Sequence, residues 1–195
     1  MIPAFRRSVD IPSHLPLVYS DIDDADAVKA SIATSALAVV YSGAQLDGLL
    51  GANTKMQQLT VSSSTAVGTY NLATITIVGT DQTGTARTVT ATLTQVNGNE
   101  TRNFQLAGVD VGMLSVTSIT IPAMVNAGGF FTFGVADAIF DDPARAVRGA
   151  AGVIAIENEQ ALAASLPCVA GEKHHVFVKK IMDAATTAFP IVAYI

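Results

Sequence analysis

The chain has 195 residues; 50% are hydrophobic, 14% charged and 6% aromatic, with no Trp and a net charge of −5. An ordinary soluble domain is about 25% charged, so charge is scarce here, yet the apolar fraction excludes disorder and the acidic balance argues against a nucleic-acid surface. A membrane-spanning helix needs about 20 apolar residues in a row, and the longest candidate, Ala30 to Val40, is short and carries Ser31, Thr34 and Ser35.

The apolar residues are small. The chain holds 31 Ala and 20 Thr, and its mean hydropathy is +0.43. Met1 to Arg7 has positive charge but no apolar run behind it, so no secretion leader is expected. Cys168 is the single cysteine, which rules out an internal disulfide and a Cys-rich zinc site. A chain this poor in charge is expected to have much of its surface covered by other subunits.

Residues 1–50 are predicted to be an N-terminal arm and lead-in. Pro3, Pro12 and Pro16 break its first part, which should be extended and irregular. Asp26 can cap a helix from Ala27 toward Val40, but the end of that stretch, Leu37-Ala38-Val39-Val40-Tyr41, reads equally well as a strand. Residues 51–140 form a central module. From Gly51 to Phe140 the charged residues are only Lys55, Asp81, Arg87, Glu100, Arg102, Asp110 and Asp137. Thr74 to Gly79 is a β-branched strand. Asp81-Gln82-Thr83-Gly84 is a turn, with Asp to bond the local backbone and Gly for positive φ. Thr88 to Thr94 alternates strictly, with Val89, Ala91 and Leu93 on one face and Thr on the other. Asn97-Gly98 marks another turn. Phe104–Leu106, Leu114–Ile121 and Phe130–Val135 are further strand candidates.

Residues 141–195 form a C-terminal module, which may share a core with the N-terminal segment. Gly152 to Ile156 is a strand and Gly171-Glu172 a turn. His175 to Met182 is a strand with Val176 and Val178 on one face and Phe177 and Ile181 on the other. Phe189 to Ile195 is the last strand, with Pro190 at its start or edge. The fold class is therefore mainly β: antiparallel sandwich or barrel modules, an extended arm and at most one short helix.

Chemistry-bearing patterns are few. Asp21-Ile22-Asp23-Asp24-Ala25-Asp26 fails as a calcium loop, since its sixth position is Asp26 and its twelfth Ile32. His174 and His175 are neighbours, and neighbours on a strand face opposite ways. Cys168 precedes His174 by six residues, but nothing in the sequence marks a thiol–imidazole contact. Gly149-Ala150-Ala151-Gly152 lacks the lysine and spacing of a phosphate loop. Asn99-Glu100-Thr101 is a formal glycosylation sequon, read here as a turn. The Thr face of Thr88–Thr94 is read as the solvent side of a sheet. No catalytic, cofactor-binding or metal residues are assigned, and an enzyme is not expected.

Two stretches carry a resemblance. Ile75-Thr76-Ile77-Val78-Gly79-Thr80-Asp81-Gln82-Thr83-Gly84, followed by Ser115-Val116-Thr117-Ser118-Ile119-Thr120-Ile121, resembles a β-module of tailed-bacteriophage structural proteins. Leu166-Pro167, Gly171-Glu172, Val176-Phe177-Val178-Lys179-Lys180-Ile181, Ala185-Thr186-Thr187-Ala188 and Ile191-Val192-Ala193-Tyr194-Ile195 resemble the C-terminal end of the head-spike base family of phages and gene transfer agents. The sequence reads Ala-Phe-Pro at 188–190, where that family usually has Ala-Thr and a small residue.

The resemblance implies a non-enzymatic virion protein on the head surface. It would be a decoration (cement) or spike-base protein that bridges capsid subunits. A head–tail connector or tail component is the alternative within that class, and a glycan-binding surface module the alternative outside it. The implied partners are the major capsid protein and copies of the chain itself, as a trimer or pentamer, with no nucleic acid, membrane or cofactor. Assembly would take place in the host cytoplasm. Candidate contact residues are Phe5, Arg6, Arg7, Ile11 and Pro12 in the arm, and Tyr194 and Ile195 in the last strand.

Overall fold

The computed structural model describes residues 17–19, 24–33, 35–47, 56–64, 73–94, 99–124, 129–182 and 185–194. Along the chain run β1 (Leu17–Tyr19), β2 (Asp24–Ala33), β3 (Val39–Ser42), β4 (Gln57–Ser64), β5 (Thr74–Thr80), β6 (Ala86–Thr92) and β7 (Glu100–Asn103). Then follow β8 (Gln105–Leu106), β9 (Val109–Asp110), β10 (Gly112–Met113), β11 (Ser115–Ile121), β12 (Phe130–Val135) and β13 (Ala138–Ala144). The remainder are β14 (Ala146–Arg148), β15 (Gly152–Glu157), β16 (Ala163–Cys168), β17 (Lys173–His174), β18 (Val178–Ile181) and β19 (Ile191–Tyr194). A 3-10 turn occupies Gly43–Gln45. No helix among the described residues is long and apolar enough to cross a membrane.

The strands build four antiparallel sheets, as the mainly β prediction requires. Their orders are β1-β19-β14-β17, β10-β4-β12-β2 with β7 also on β4, β3-β11-β5-β6-β8-β9, and β13-β18-β15-β16. The second and third sheets enclose one core. Val28, Leu59, Val61, Phe131 and Phe133 meet Ile75, Ile77, Val89, Leu93 and Ile119 there. The first and fourth sheets enclose another, built on Phe140, Val147, Ile154, Val178, Ile181 and Ile191. The lead-in strand β2 contributes to the first core, whereas β1 pairs with β19 at the edge of the terminal sheet.

Local sequence explains the central strands. In β5 the burial alternates, with Ile75, Ile77 and Gly79 turned inward. In β6 the Thr residues face out, and Val89 and Ala91 face in. The Asp81 turn forms as read: Asp81 Oδ1 accepts from Thr83 N–H at 2.8 Å and Thr85 N–H at 3.0 Å, and Gly84 sits at φ +81°. The loop joining β15 to β16 repeats this device without glycine. Asn158 Oδ1 accepts from Gln160 N–H at 2.9 Å and Leu162 N–H at 3.0 Å, and Ala161 takes φ +57°.

Two readings need correction or resolution. The helix open for Ala27 to Val40 is absent: the segment is strand β2, then β3. Val28 and Ile32 are buried but Ala30 between them is exposed, so the alternation of a regular strand is broken where β2 bulges against β12. Phe131 pairs with Ile32 but Phe133 with Lys29, so the bulge inserts one residue and changes the face. Apolar residues four apart fit one face of a helix as well as one face of a strand. The second correction concerns His175–Met182. It is no single strand, because the chain changes sheets there. Lys173–His174 pairs with β14, and Val178–Ile181 pairs with β13 and β15. Val178 and Ile181 are both buried and Phe177 is exposed, against the predicted split of faces.

The two cores meet through backbone and one polar cluster. Gln58 N–H donates to Asp137 O at 2.8 Å, and Ala136 N–H to Gln58 O at 2.9 Å. Arg87 Nη1 donates to Gly112 O and to Asp141 Oδ1, both at 2.9 Å. Asp141 Oδ2 also accepts from the Gln82 backbone N–H at 3.2 Å, while the Asp141 N–H donates to Gln82 Oε1 at 2.9 Å. The turn at Asp81 is thus part of the junction, since Arg87 Nη2 also lies 3.6 Å from Asp81 Oδ2.

Asp81 makes that junction pH-sensitive. Partial burial pushes its carboxyl up, but the hydrogen bonds from Thr83 and Thr85 and the Arg87 charge outweigh this and leave it below the usual range. A lowered folded value means the stabilisation is complete above the unfolded value, about 3.9, and is lost as pH falls through the folded value. The thermal midpoint of Asp81→Asn is therefore expected to lie below that of the native chain at pH 7. The gap should narrow as pH is lowered from 5 to 2. A gap that stays constant over that range would show that the charge contributes nothing.

Candidate functional site

Three features bring chemistry together. The first is the contact that sequence spacing did not reveal. β16 ends at Cys168, and a turn containing Gly171 at φ +82° returns the chain to β17 and His174. Glu172 N–H donates to Val169 O at 2.9 Å, and the Glu172 carboxylate accepts from Val169 N–H at 3.2 Å. This closes the six-residue gap, and Cys168 Sγ lies 3.3 Å from His174 Nε2.

The arrangement is not that of an activated thiol. Glu172 Oε2 lies 3.8 Å from the same His174 Nε2, whereas an orienting carboxylate belongs on the other ring nitrogen. Burial, and then the negative charge of Glu172, push the Cys168 thiol up, against a weaker opposing bond from the Ile154 backbone. The nucleophile is the thiolate, so this environment favours the unreactive form. Cys168 packs in the second core at 7% exposure. Among the described residues no group of three or more His, Cys, Asp or Glu is placed to hold a metal.

The second feature is a polar groove of about 640 Å³ on the Thr face of β6. Thr90, Thr92, Thr101, Arg102, Gln105 and Asp110 are among the side chains lining it. Its polar groups are tied to one another. The buried Glu100 accepts from Arg102 Nε at 2.8 Å and from Thr94 N–H at 2.9 Å. Arg102 Nη2 also meets Thr94 Oγ1. Asp110 accepts from Asn103 Nδ2 and Gln105 Nε2, both at 2.9 Å. The groove is therefore preorganised, and the described residues that line it include no aromatic side chain.

The third feature is the hairpin β15–β16. Leu162, Val169 and Phe177 stand 64%, 71% and 66% exposed around it. A groove of about 460 Å³ runs along the hairpin, with Ile156, Leu162, Ala164, Leu166, Val176 and Phe177 among its walls. Among the described residues β16 is the free edge of its sheet. Other exposed large apolar residues are Leu106 and Val109 on the β8–β9 hairpin, Leu37 and Val40 at β3, and Phe130 at the start of β12.

Of the contact residues expected from sequence, Phe5, Arg6, Arg7, Ile11, Pro12 and Ile195 lie outside the described residues. Tyr194 is half-buried at the end of β19, opposite Ala146. Lys173 Nζ sits 4.0 Å from its ring centroid, and Arg145 N–H donates to its carbonyl at 2.7 Å. No protein-family model, no curated protein and no solved structure matches this chain.

Proposed function

We propose that the chain is a structural protein of a tailed-phage or gene-transfer-agent head, a decoration or spike-base protein that bridges capsid subunits. It acts mechanically, with no catalytic step and no cofactor. One observation carries the reading: large apolar side chains stand exposed at three separate sheet edges of a two-core framework. A protein that bridges several neighbours needs several such contact points, because exposed apolar clusters mark protein interaction surfaces. The resemblance adds support. Its first set of motifs falls on β5, the Asp81 turn and β11, and β11-β5-β6 are neighbours in one sheet. Its second set falls on β16, β18 and β19. The major capsid protein and further copies of the chain are the partners in this reading, and the head surface is its place.

The test is copy number. Purified particles should carry the chain in a number set by head symmetry, visible by cryo-electron microscopy as density outside the shell. Twelve or fewer copies at a single vertex would favour a connector instead. Absence from particles would end the reading. The preorganised polar groove favours glycan binding as a second reading. The described residues lining it offer no aromatic platform, which weakens that reading, and a glycan array with the free chain decides it.

A further inference from the structure

The edge of β16 is unusual in what it leaves open. Its partner β15 aligns Ile154 with Leu166, Ala155 with Ser165 and Ile156 with Ala164. Val153 N–H donates to Thr187 Oγ1 at 3.1 Å, and Val153 O accepts from Thr187 N–H at 2.8 Å. Ala155 N–H likewise donates to Thr186 Oγ1 at 3.0 Å, and its carbonyl accepts from Met182 N–H at 2.9 Å. Both residues therefore direct their backbone groups away from β16. The groups opposite them, on Pro167 and Ser165, are turned outward by the alternation of an antiparallel ladder. Ala163 follows the same parity. The free edge presents the N–H and C=O of Ala163 and Ser165 and the C=O of Pro167.

Natural edges are blocked with charges, bulges or proline. From Ala163 to Cys168 there is no charged residue, and Pro167 removes one donor only. The strand is also exposed on both faces from Ala163 to Ser165. Leu162, Ala164 and Leu166 form one apolar face beside the groove.

We propose that β16 is the self-association edge of this protein, where a second copy pairs its own β16 antiparallel about a twofold axis. Centred on Ser165, the pair exchanges two Ser165 N–H to Ser165 C=O bonds. It adds a bond from Ala163 N–H to Pro167 C=O in each direction. The missing proline donor costs only the bond to the Ala163 carbonyl. The apolar face then runs unbroken across four strands, β15 and β16 of both copies, with Phe177 of each copy at its margin. The edge fits a second copy of itself, because a twofold axis at Ser165 sets Pro167, which lacks a donor, opposite Ala163 and not opposite another proline. A strand bearing charge would meet its own like charge at a twofold axis, whereas this one brings none. The inference deepens the proposed head-surface role by naming a contact between copies, but the contact requires the free chain alone.

The test is sedimentation equilibrium of the 195-residue chain with two variants. Ser165→Pro removes the central outward N–H, and Ser165→Lys places like charges at the axis. Both change an exposed edge residue, and Pro167 already shows that this edge accommodates proline. The native chain is expected to double its mass with rising concentration. Both variants are expected to weaken that association at least tenfold with an unchanged thermal midpoint. A native chain that remains monomeric to millimolar concentration overturns the inference, as do folded variants that associate like the native chain. A different strand bound at β16 in place of a second copy also appears as a monomer here. If self-pairing fails while the chain is found on heads, the inference falls and the function stands. If the chain dimerises through Ser165 but is absent from particles, the function falls and the inference stands.

Discussion

Phe133→Ala is expected to lower stability by about 3–5 kcal/mol, the range for deleting a fully buried aromatic side chain. Phe133 lies mid-strand in β12, opposite Val61 of β4 and Lys29 of β2, with no exposed surface. Its ring centroid is 6.2 Å from that of Phe104 and 6.3 Å from that of Phe131. Three of the largest buried side chains thus meet at one place in the first core. The surrounding strands are tied by ladder bonds on both sides of β12, so collapse into the void is restricted, and cavities that cannot collapse cost most. For a chain of this size about 2–4 °C of midpoint accompany each kcal/mol. The thermal midpoint should therefore fall by roughly 6–20 °C. Phe133→Leu keeps most of the volume and should cost about 1–2 kcal/mol. Equal midpoints for the two variants would show that the site repacks freely and that the cluster does not hold the two sheets together.

What was legible in the sequence was what local patterning dictates. β5 and β6 alternate strictly, and the Asp81 turn carries its own bonding partner and its own glycine. No distant contact is needed to place them. β2 was illegible for the opposite reason. Its bulges are set by pairing with β12, about a hundred residues on, and they interrupt the period of two that would mark a strand. The break at 175–177 depends on two sheets competing for one run of chain, which no local pattern records. The Cys168–His174 contact turns on the tight return at Gly171. The sequence showed Gly171-Glu172 as a turn, but not that the two flanking strands would bring residues 168 and 174 level. Phe177 was placed on one strand face with Ile181, and its exposure was not legible, since exposure of an apolar side chain is a tertiary property.

The low charge of the chain acquires a location from these facts. The central strands lack charge because both cores are close-packed β layers with Thr on the outer faces. The β16 edge lacks charge without that reason, because it is exposed. An uncharged, apolar and unpaired edge is a hazard for a protein that acts alone. It is a contact element for one that assembles, and the deficit of surface charge is what assembly requires at such an edge.

Gly112→Ala tests whether the two cores form one unit, and it is expected to cost about 3 kcal/mol, near the upper end for overpacking. A Cβ at Gly112 would fall 2.1 Å from Ile139 O and 2.9 Å from Met56 Cε. Ile139 belongs to β13, and Met56 packs in the second core, whereas Met113, next to Gly112, packs in the first. The obstacle is backbone, so it cannot rotate aside. Relief requires β10 and β13 to part. Parting them also disturbs the Arg87 bond to the Gly112 carbonyl, at 2.9 Å, and with it the Asp141 cluster. Gly84→Ala is the matched control. Gly84 has open space around its missing Cβ but sits at φ +81°, so its substitution carries a conformational cost of about 1–2 kcal/mol and no clash. The midpoint should fall by roughly 6–12 °C for Gly112→Ala, against roughly 2–8 °C for Gly84→Ala. The first variant should also melt over a broader range, because the cores would then unfold less cooperatively. A sharp transition with a midpoint near the native value for Gly112→Ala would mean that the close approach of β10 to β13 does not couple the two cores.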